Sequence, residues 1–185
     1  MTDPRAERTR ARLRAALVAE CRERQLAEVS VSAVVRRAGL GRATFYLHYE
    51  DLQALAVDAC GEVVRDAVEA LHDRRGPVDP AQPPDALTAF LAAAAEHAAL
   101  YRALLAPGGG GPLGDLMHRQ LRERSRTERL RAGAPHPDTV ASAVAAAFTG
   151  LLADWLHGLV DADPATLAAR TWRLLIALHR VPLDG

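Results

Sequence analysis

The side chains whose types and spacing best suit a chemical task lie in one short stretch of the chain. Those expected to face outward from it are Arg42, Ala43, Thr44, Tyr46, Leu47 and His48. Arg42 can donate two parallel hydrogen bonds to a guanine edge or contact a phosphate, and Ala43 can approach a thymine methyl group. Thr44, Tyr46 and His48 carry short hydrogen-bond donors that suit phosphate oxygens. These residue types predict contact with double-stranded DNA.

A helix-turn-helix over residues 30–49, SVSAVVRRAGLGRATFYLHY, is the element that would present them. Ser30 is a suitable N-cap for the first short helix, because its hydroxyl can accept a hydrogen bond from a free backbone N–H, and it is also counted among the predicted DNA-binding residues. Gly39 can adopt the left-handed conformation that a tight turn between two helices requires. Phe45 and Tyr49 are four residues apart and should pack inward. The second helix of such a motif enters the major groove of DNA.

Charge is distributed unevenly along the 185 residues, although the formal net charge is zero. Residues 1–49 hold ten arginines and five acidic residues, and the rest of the chain holds thirteen arginines and eighteen acidic residues. The chain contains no lysine, so every contact with a phosphate or carboxylate would use the planar guanidinium group. A basic N-terminal part on an acidic remainder favours a polyanionic partner for that part only.

Helical periodicity continues through the chain between breaks rich in proline and glycine, without the alternation typical of strands. We therefore expect an all-α protein of about nine helices. The first is expected over Thr9–Arg24 and the fourth over Asp51–Asp73. Five more are expected at 85–96, 98–105, 113–131, 138–160 and 165–180. The prediction is a helix-turn-helix DNA-binding domain of three helices at residues 1–50, followed by a helical ligand-binding and dimerisation domain at residues 51–185.

The last two of these helices have apolar surfaces too broad for a helix that packs on one side only. Either they face both a core and a partner chain in a homodimer, or they are buried entirely within the monomer. Four consecutive glycines, Gly108–Gly111, precede the helix at 113–131. They lack the Lys-Ser/Thr pair of a phosphate-binding loop, which predicts a flexible connection.

Candidates for the wall of an internal effector pocket are large side chains of the middle helices. They are Phe90, His97, Tyr101, Leu104, Met117, Leu121, Phe148, Leu152 and Trp155. The same residues equally suit a solid core, and a pocket among them would take a largely apolar molecule. The histidines lack metal-ligand spacing, and no catalytic constellation is evident. We therefore expect no metal, no cofactor and no enzymatic activity, and we expect Cys21 and Cys60 to be buried thiols.

Two stretches, RARLRAALVAEC and RRAGLGRATFYLHYEDLQAL, resemble the DNA-binding domain of the tetracycline-repressor (TetR) family. In that family an alanine-glycine-aliphatic turn leads into a short helix. The helix has six consecutive positions occupied by threonine, an aromatic residue, tyrosine, any residue, histidine and an aromatic residue. The residues that match are Thr44, Phe45, Tyr46, His48 and Tyr49. The resemblance implies that Thr44, Tyr46 and His48 anchor the DNA backbone, whereas Arg42, Ala43 and Leu47 face bases.

The chain departs from the family pattern at two positions. The family commonly has serine where this chain has Gly41, so the side-chain cap of the recognition helix is missing. It often has lysine where this chain has Leu52, which puts one phosphate contact in doubt unless arginines of the first helix replace it. The family also implies a C-terminal body that binds an effector and dimerises through its last two long helices.

The sequence thus favours a DNA-binding transcriptional repressor that a small-molecule effector releases from a partly palindromic operator. An activator or a ligand-independent regulator of the same fold is the first alternative. A small helical enzyme and a dimeric interaction module are further alternatives, because short helix pairs with a glycine turn are common in all-helical proteins. No signal peptide and no apolar run long enough to span a bilayer is evident, which predicts a cytoplasmic protein without a membrane partner.

Overall fold

The computed structural model describes residues 3–72 and 79–181, and within these ranges it contains nine α-helices and no strand. The helices are α1 (Pro4–Glu23), α2 (Val31–Ala38), α3 (Arg42–Tyr46), α4 (Leu52–His72), α5 (Asp85–Glu96), α6 (Ala98–Leu104), α7 (Pro112–Arg131), α8 (Pro137–Leu156) and α9 (Pro164–Arg180). Two short 3₁₀ turns lie at Leu26–Glu28 and Pro107–Gly109. The all-α prediction is confirmed, and the predicted end of the fourth helix, Asp73, lies outside the described residues.

Helix ends follow local signals in the sequence. Four helices begin with proline. Proline lacks a backbone N–H, and this costs no hydrogen bond in the first turn, where N–H groups have no acceptor within the helix. The first helix begins at Pro4 and not at the predicted Thr9, because Asp3 accepts a hydrogen bond from Arg5 N at 2.9 Å and caps it. Asp51 caps α4 as predicted, accepting from Ala54 N at 2.7 Å.

The eighth helix ends at Leu156, four residues before its predicted end at residue 160. Gly158 has a φ of +80°, which side chains with a Cβ rarely adopt, and the chain turns away there. Leu159 N donates to Asp154 O at 2.8 Å and closes the helix. The apolar pattern continues through Leu159, and this is why periodicity alone overextended the helix.

Helix α2 packs on α1 and helix α3 packs on α2, and the three helices form a unit that we call the reading head. Leu13, Leu17, Val34 and Phe45 are fully buried in it. Helices α4–α9 form the body, in which α7 and α8 pack along each other, and α9 lies against α5 and α8. One buried apolar cluster extends from Leu13 in the head to Leu175 in the body. The division at residues 50 and 51 falls between α3 and α4, and it stays a prediction.

The glycine-rich connection before α7 is packed against α8, contrary to the expectation of a flexible link. Gly108 N donates to Asp154 Oδ1 at 3.2 Å, and Ala106 N donates to Gly110 O at 2.8 Å. A Cβ at Gly109 would lie 3.1 Å from the backbone of Gly150. The glycines therefore allow two backbones to approach closely.

Helix α8 meets the length and composition of a membrane-spanning helix, contrary to the expectation that no such run exists. Half of the most apolar 18-residue stretch of this helix is buried inside the body. Its packing against α7 and α9 accounts for this apolar character, because a helix in the middle of a helical bundle is contacted on several sides.

Candidate nucleic-acid interface

The third helix has an inward and an outward face, as its pattern predicted. Phe45 is fully buried and Tyr49 is 7% exposed, and their ring centroids lie 6.0 Å apart. On the opposite face Leu47 is 81% exposed and Tyr46 is 53% exposed. These two neighbouring large side chains are therefore available for contact with a binding partner.

The other predicted contact residues surround this face. Arg42 and Ala43 are exposed at the start of α3, whereas Thr44 and His48 are half-buried beside the exposed side chains. Ser30 lies at the start of α2, where its hydroxyl accepts a hydrogen bond from Ala33 N at 3.2 Å. Its capping role is therefore present, while contact with DNA by any of these residues stays a prediction.

The turn between α2 and α3 is held by a residue that the sequence did not single out for this task. Gly39 has φ +62° and ψ +41°, and Leu40 N donates to Val35 O at 2.9 Å to close α2. Arg12 Nη2 of α1 donates to Ala38 O at 2.5 Å and to Gly39 O at 3.3 Å. A guanidinium at a helix C-terminus satisfies carbonyls that lack partners and favours the negative end of the helix dipole.

Most arginines of the first helix are occupied by contacts inside the protein. Arg14 binds Glu7, Asp58 and Glu62, and Arg22 binds Glu96 at 2.8 Å. Arg10 lies over the ring of Tyr49, with 5.9 Å between its Cζ and the ring centroid. Arg12 is also occupied, at the turn. The arginines of α1 that remain free to replace the phosphate contact of the family's lysine are therefore those in the first turns of the helix.

The arginines in the described part of the reading head whose side chains have no ion pair, hydrogen bond or ring contact are Arg5, Arg8, Arg36 and Arg42. All four are exposed. Arg37 differs, since it binds Glu20 at 2.6 Å and Glu23 at 2.5 Å, and these contacts lower the pKa of the Glu23 carboxylate. The free positive charge of the head is therefore smaller than its arginine count indicates.

A charge cluster around the buried Arg14 lies where residues 42–49, which we call the recognition segment, meet the body. Tyr49 Oη donates to Asp58 Oδ2 at 2.6 Å, and burial together with this carboxylate raises the pKa of Tyr49. Burial opposes ionisation of Asp58, but the hydrogen bonds from Tyr49 and Arg14 outweigh it and lower the pKa of Asp58. Asp58 is therefore an anion that accepts from a neutral tyrosine and a charged arginine.

Seven of the nine predicted effector-pocket residues are buried in one apolar cluster of the body. Phe90 contacts Tyr101 edge-on at 6.3 Å between ring centroids and Phe148 at 6.0 Å. Leu104, Met117, Leu121 and Leu152 are buried in the same cluster. His97 and Trp155 are half-buried, and Trp155 Nε1 donates to Ala162 O at 2.8 Å. Phe90 also lines a groove of about 270 Å³ between α4 and α5.

A second groove, which sequence reasoning missed, lies between α4 and α7 and measures about 460 Å³. Its charged lining includes Arg65, Arg119 and Arg124 together with Glu69 and Glu123. No periodicity in the sequence indicates that these five side chains meet, because they come from helices about fifty residues apart in the chain.

No group of three or more potential metal ligands exists among the described residues. Cys60 is buried as expected, whereas Cys21 is only half-buried. Burial raises the pKa of the Cys60 thiol to about 12. A thiol that does not ionise near neutral pH is a poor nucleophile, so its role is packing.

Comparison with solved structures places this arrangement among known proteins. A TetR transcriptional regulator from Rhodococcus sp. RHA1 matches at 22% identity and a TM-score of 0.64, covering 96% of this chain and 99% of that chain. AlkX from Dietzia sp. strain DQ12-45-1b is a TetR family repressor implicated in biodegradation of n-alkanes. It matches at 20% identity and a TM-score of 0.64, covering 93% and 96%.

NalD, the secondary repressor of the MexAB-OprM multidrug efflux pump in Pseudomonas aeruginosa, matches at 18% identity and a TM-score of 0.52, covering 95% of this chain and 97% of NalD. No protein-family model and no curated protein matches the chain. At identities near 20%, the likeness concerns the fold. The chain has the fold of the TetR-family transcriptional regulators, as the resemblance in the sequence predicted.

Proposed function

We propose that this protein is a TetR-family transcriptional regulator that binds DNA through its reading head. The observation that carries the proposal is the outward face of α3, where Arg42 and Ala43 are exposed and Leu47 is 81% exposed. Burial of Phe45 beneath them holds the short helix in place. Such a helix fits the major groove, and its exposed arginine suits a guanine edge.

Contacts are divided between bases and backbone in this proposal. Arg42, Ala43 and Leu47 would read base edges, while Thr44, Tyr46 and His48 would hold phosphates. The exposed Arg5, Arg8 and Arg36 add positive charge to the reading head, and they have no carboxylate partner in its described part. A protein with few free charges should show a moderate salt dependence of DNA affinity, since each neutralised phosphate contributes one released counterion.

The protein is proposed to act as a homodimer, so that two recognition helices enter successive major grooves of a partly palindromic operator. The surface that supports this is on α9, where Leu174 is 43% exposed and Leu178, one turn further along the helix, is half-buried. A second copy that packed α8 and α9 against this surface would cover these side chains. Half-sites would then lie about 34–36 Å apart or a multiple of that.

We further propose that the regulator is a repressor released by a small, largely apolar effector. AlkX and NalD are named as repressors, which favours this role over that of an activator. The aromatic cluster of Phe90, Tyr101 and Phe148 is the proposed site, and burial raises the pKa of Tyr101 so that it would offer a neutral hydroxyl. An effector that fits only one conformation of the body would shift the population away from the DNA-binding form. A regulator of this kind acts in the cytoplasm and needs no enzymatic activity.

The proposal is tested by selecting bound sequences from random DNA duplexes and measuring affinities for the enriched operator. Arg42→Ala should change the base preference at one position of each half-site, costing about 1–3 kcal/mol against the original base. Tyr46→Phe and Thr44→Ala should weaken binding to all sequences alike, because phosphate contacts carry no base information. Arg131→Ala, an exposed arginine at the end of α7, is the matched control and should bind like the wild type.

Two results would contradict parts of this proposal. Unchanged base preference in Arg42→Ala would remove its base-reading role. If no sequence is enriched from random duplexes, the protein is instead an interaction module or an enzyme. Reporter transcription with and without the effector distinguishes repressor from activator.

A further inference from the structure

The buried charge cluster around Arg14 joins the reading head to the body. Its guanidinium donates to Glu7 at 2.7 Å within α1, and to Asp58 at 3.0 Å and Glu62 at 2.6 Å on successive turns of α4. The Arg14 side chain is 6% exposed, whereas those of its three partners are 24–48% exposed. One buried cation thus links two helices through three carboxylates.

The recognition segment reaches the same cluster from the other side. Tyr49, three residues beyond α3, donates its hydroxyl to Asp58, the same carboxylate that accepts from Arg14. Helix α1, the end of the recognition segment and helix α4 therefore meet at one carboxylate. Hydrogen bonds from a planar guanidinium are directional, whereas the hydrophobic contribution of the surrounding apolar contacts is not.

Helix α2 packs on α1, and helix α3 packs on α2, so the angle between α1 and α4 influences where α3 lies relative to the body. A rotation of about 10° acting over about 15 Å, half the length of α1, moves a recognition helix by about 2.6 Å. This is close to the rise of about 3.4 Å for one base pair. A small change in the angle between α1 and α4 would therefore change which operator spacing the dimer fits.

We propose that Arg14 is a specificity-determining residue for operator spacing: by tying Glu7 on α1 to Asp58 and Glu62 on α4, it sets the angle of the reading head and the separation of the two recognition helices in the dimer. This inference rests on the proposed function. Arg14 acts through Asp58 and Tyr49 on the recognition segment and is a positioning residue that need not touch DNA.

The test measures dissociation constants of the full-length protein for three duplexes. They carry the selected half-sites with the original spacer, and with one base pair inserted or removed. One base pair displaces a half-site by about 3.4 Å and turns it by about 35°. The wild type should bind the original spacing best. The ratio of affinities between the original and altered spacings is the readout, because a general loss of stability lowers all three affinities alike.

In Arg14→Lys and Arg14→Met this ratio should fall at least about fivefold, the change that about 1 kcal/mol of lost positioning energy gives. Arg24→Met is the matched control, because Arg24 is an arginine of the same helical region whose ion pairs stay within the head, with Glu20 and Glu23. Its ratio should equal that of the wild type. Circular dichroism and light scattering establish that each variant is folded and of the same oligomeric state as the wild type.

Arg14→Lys keeps the charge but loses the planar fork, so it carries the test if Arg14→Met does not fold. An unchanged ratio in a folded Arg14→Lys overturns the inference, and so does a wild type that binds all three spacings equally. These outcomes differ from failure of the proposed function, in which the wild type enriches no sequence at all.

Discussion

At the scale of single residues, the reading head uses one residue type for opposite tasks. Arg12 caps the turn of the helix-turn-helix, and Arg14 and Arg37 bind carboxylates inside the head and at its joint with the body. Arg42 and Arg36 are exposed and contact no carboxylate in the described part of the head. The arginines that stabilise the head are therefore different from those that are free to contact a partner. Mutations in the first group should lower the stability of the protein, whereas mutations in the second group should lower the proposed affinity for DNA.

The first prediction at this scale concerns Asp58 and pH. Because contacts with Tyr49 and Arg14 lower its pKa in the folded protein, its stabilising contribution is complete above its unfolded pKa of about 3.9 and is lost as pH falls through the lowered value. Asp58→Asn should reduce the free energy of unfolding at pH 7 by about 1–3 kcal/mol, as expected when a partly buried hydrogen-bonded charge is removed.

Urea unfolding at pH 7, 5 and 3 provides the check. The difference between wild type and Asp58→Asn should be similar at pH 7 and 5 and smaller at pH 3. Asp66→Asn, an exposed carboxylate on the same helix, serves as the control and should show little difference at any pH. A difference for Asp58→Asn that grew toward pH 3 would mean that its carboxylate is not stabilised in the folded protein.

At the scale of elements, glycines act in two ways. Gly39 supplies a left-handed turn between α2 and α3, and Gly109 allows the connection before α7 to lie against the backbone of α8. Gly41 differs from both, because its φ of −89° is open to any residue and it is the N-cap of α3 without a side-chain hydrogen bond. The recognition helix is thus held by its packing and by the preceding turn rather than by a cap.

Substitutions at Gly39 and Gly41 should have different effects on stability, because only Gly39 has a left-handed backbone conformation. Gly39→Ala should destabilise the protein by about 1–2 kcal/mol, the penalty for a Cβ in the left-handed region. Its Cβ would also lie 3.0 Å from Arg12 Nη2. Gly41→Ser should instead be neutral or stabilising by about a few tenths of a kcal/mol, since serine can cap the helix.

Thermal unfolding of the two variants under identical conditions measures this difference. The nearest atom to a Cβ at Gly41 is 3.9 Å away, so space does not disturb the comparison. If Gly39→Ala unfolded at the same temperature as Gly41→Ser, the turn in solution would differ from the one described.

At the scale of the whole molecule, the body combines a buried aromatic cluster with an apolar strip on α9. Leu167 and Leu175 of α9 point into the core, while Leu174 is 43% exposed and Leu178, one turn further along the helix, is half-buried. The broad apolar pattern of α9 thus serves the core on one side and leaves apolar surface on another. This arrangement supports the first of the two alternatives that the sequence left open, a helix that faces both a core and a partner chain.

The corresponding prediction is that Leu174→Glu converts a dimer into a monomer and weakens operator binding at least about tenfold, because the gain from binding two linked half-sites is lost. Ala92→Glu, an exposed position on α5, is the matched control and should leave mass and affinity unchanged. Size-exclusion chromatography with light scattering gives the mass directly. A Leu174→Glu variant that stays dimeric and binds DNA normally would place the dimer interface elsewhere.

Most of the fold was predictable from the sequence because helix boundaries depend on neighbouring residues. Ser30, Asp51 and Gly39 act through hydrogen bonds and backbone angles within four residues of themselves. The prediction failed at Thr9, and at residue 160, where an apolar pattern continued beyond a glycine that ends the helix. Apolar periodicity indicates which face of a helix is buried, but it can continue past the residue at which the helix ends.

The outward face of α3 was also predictable, since Phe45 and Tyr49 lie on one side of a helix by their spacing alone. The sequence by itself determined the helix-turn-helix, the all-α class and the side chains that α3 directs outward. Only the tertiary structure decided which arginines are free, because Arg14 meets Asp58 across 44 residues and Arg12 meets Ala38 across 26. Local rules operate over one helical turn, whereas the pairing of charges depends on how whole helices cross, and that follows from packing throughout the molecule.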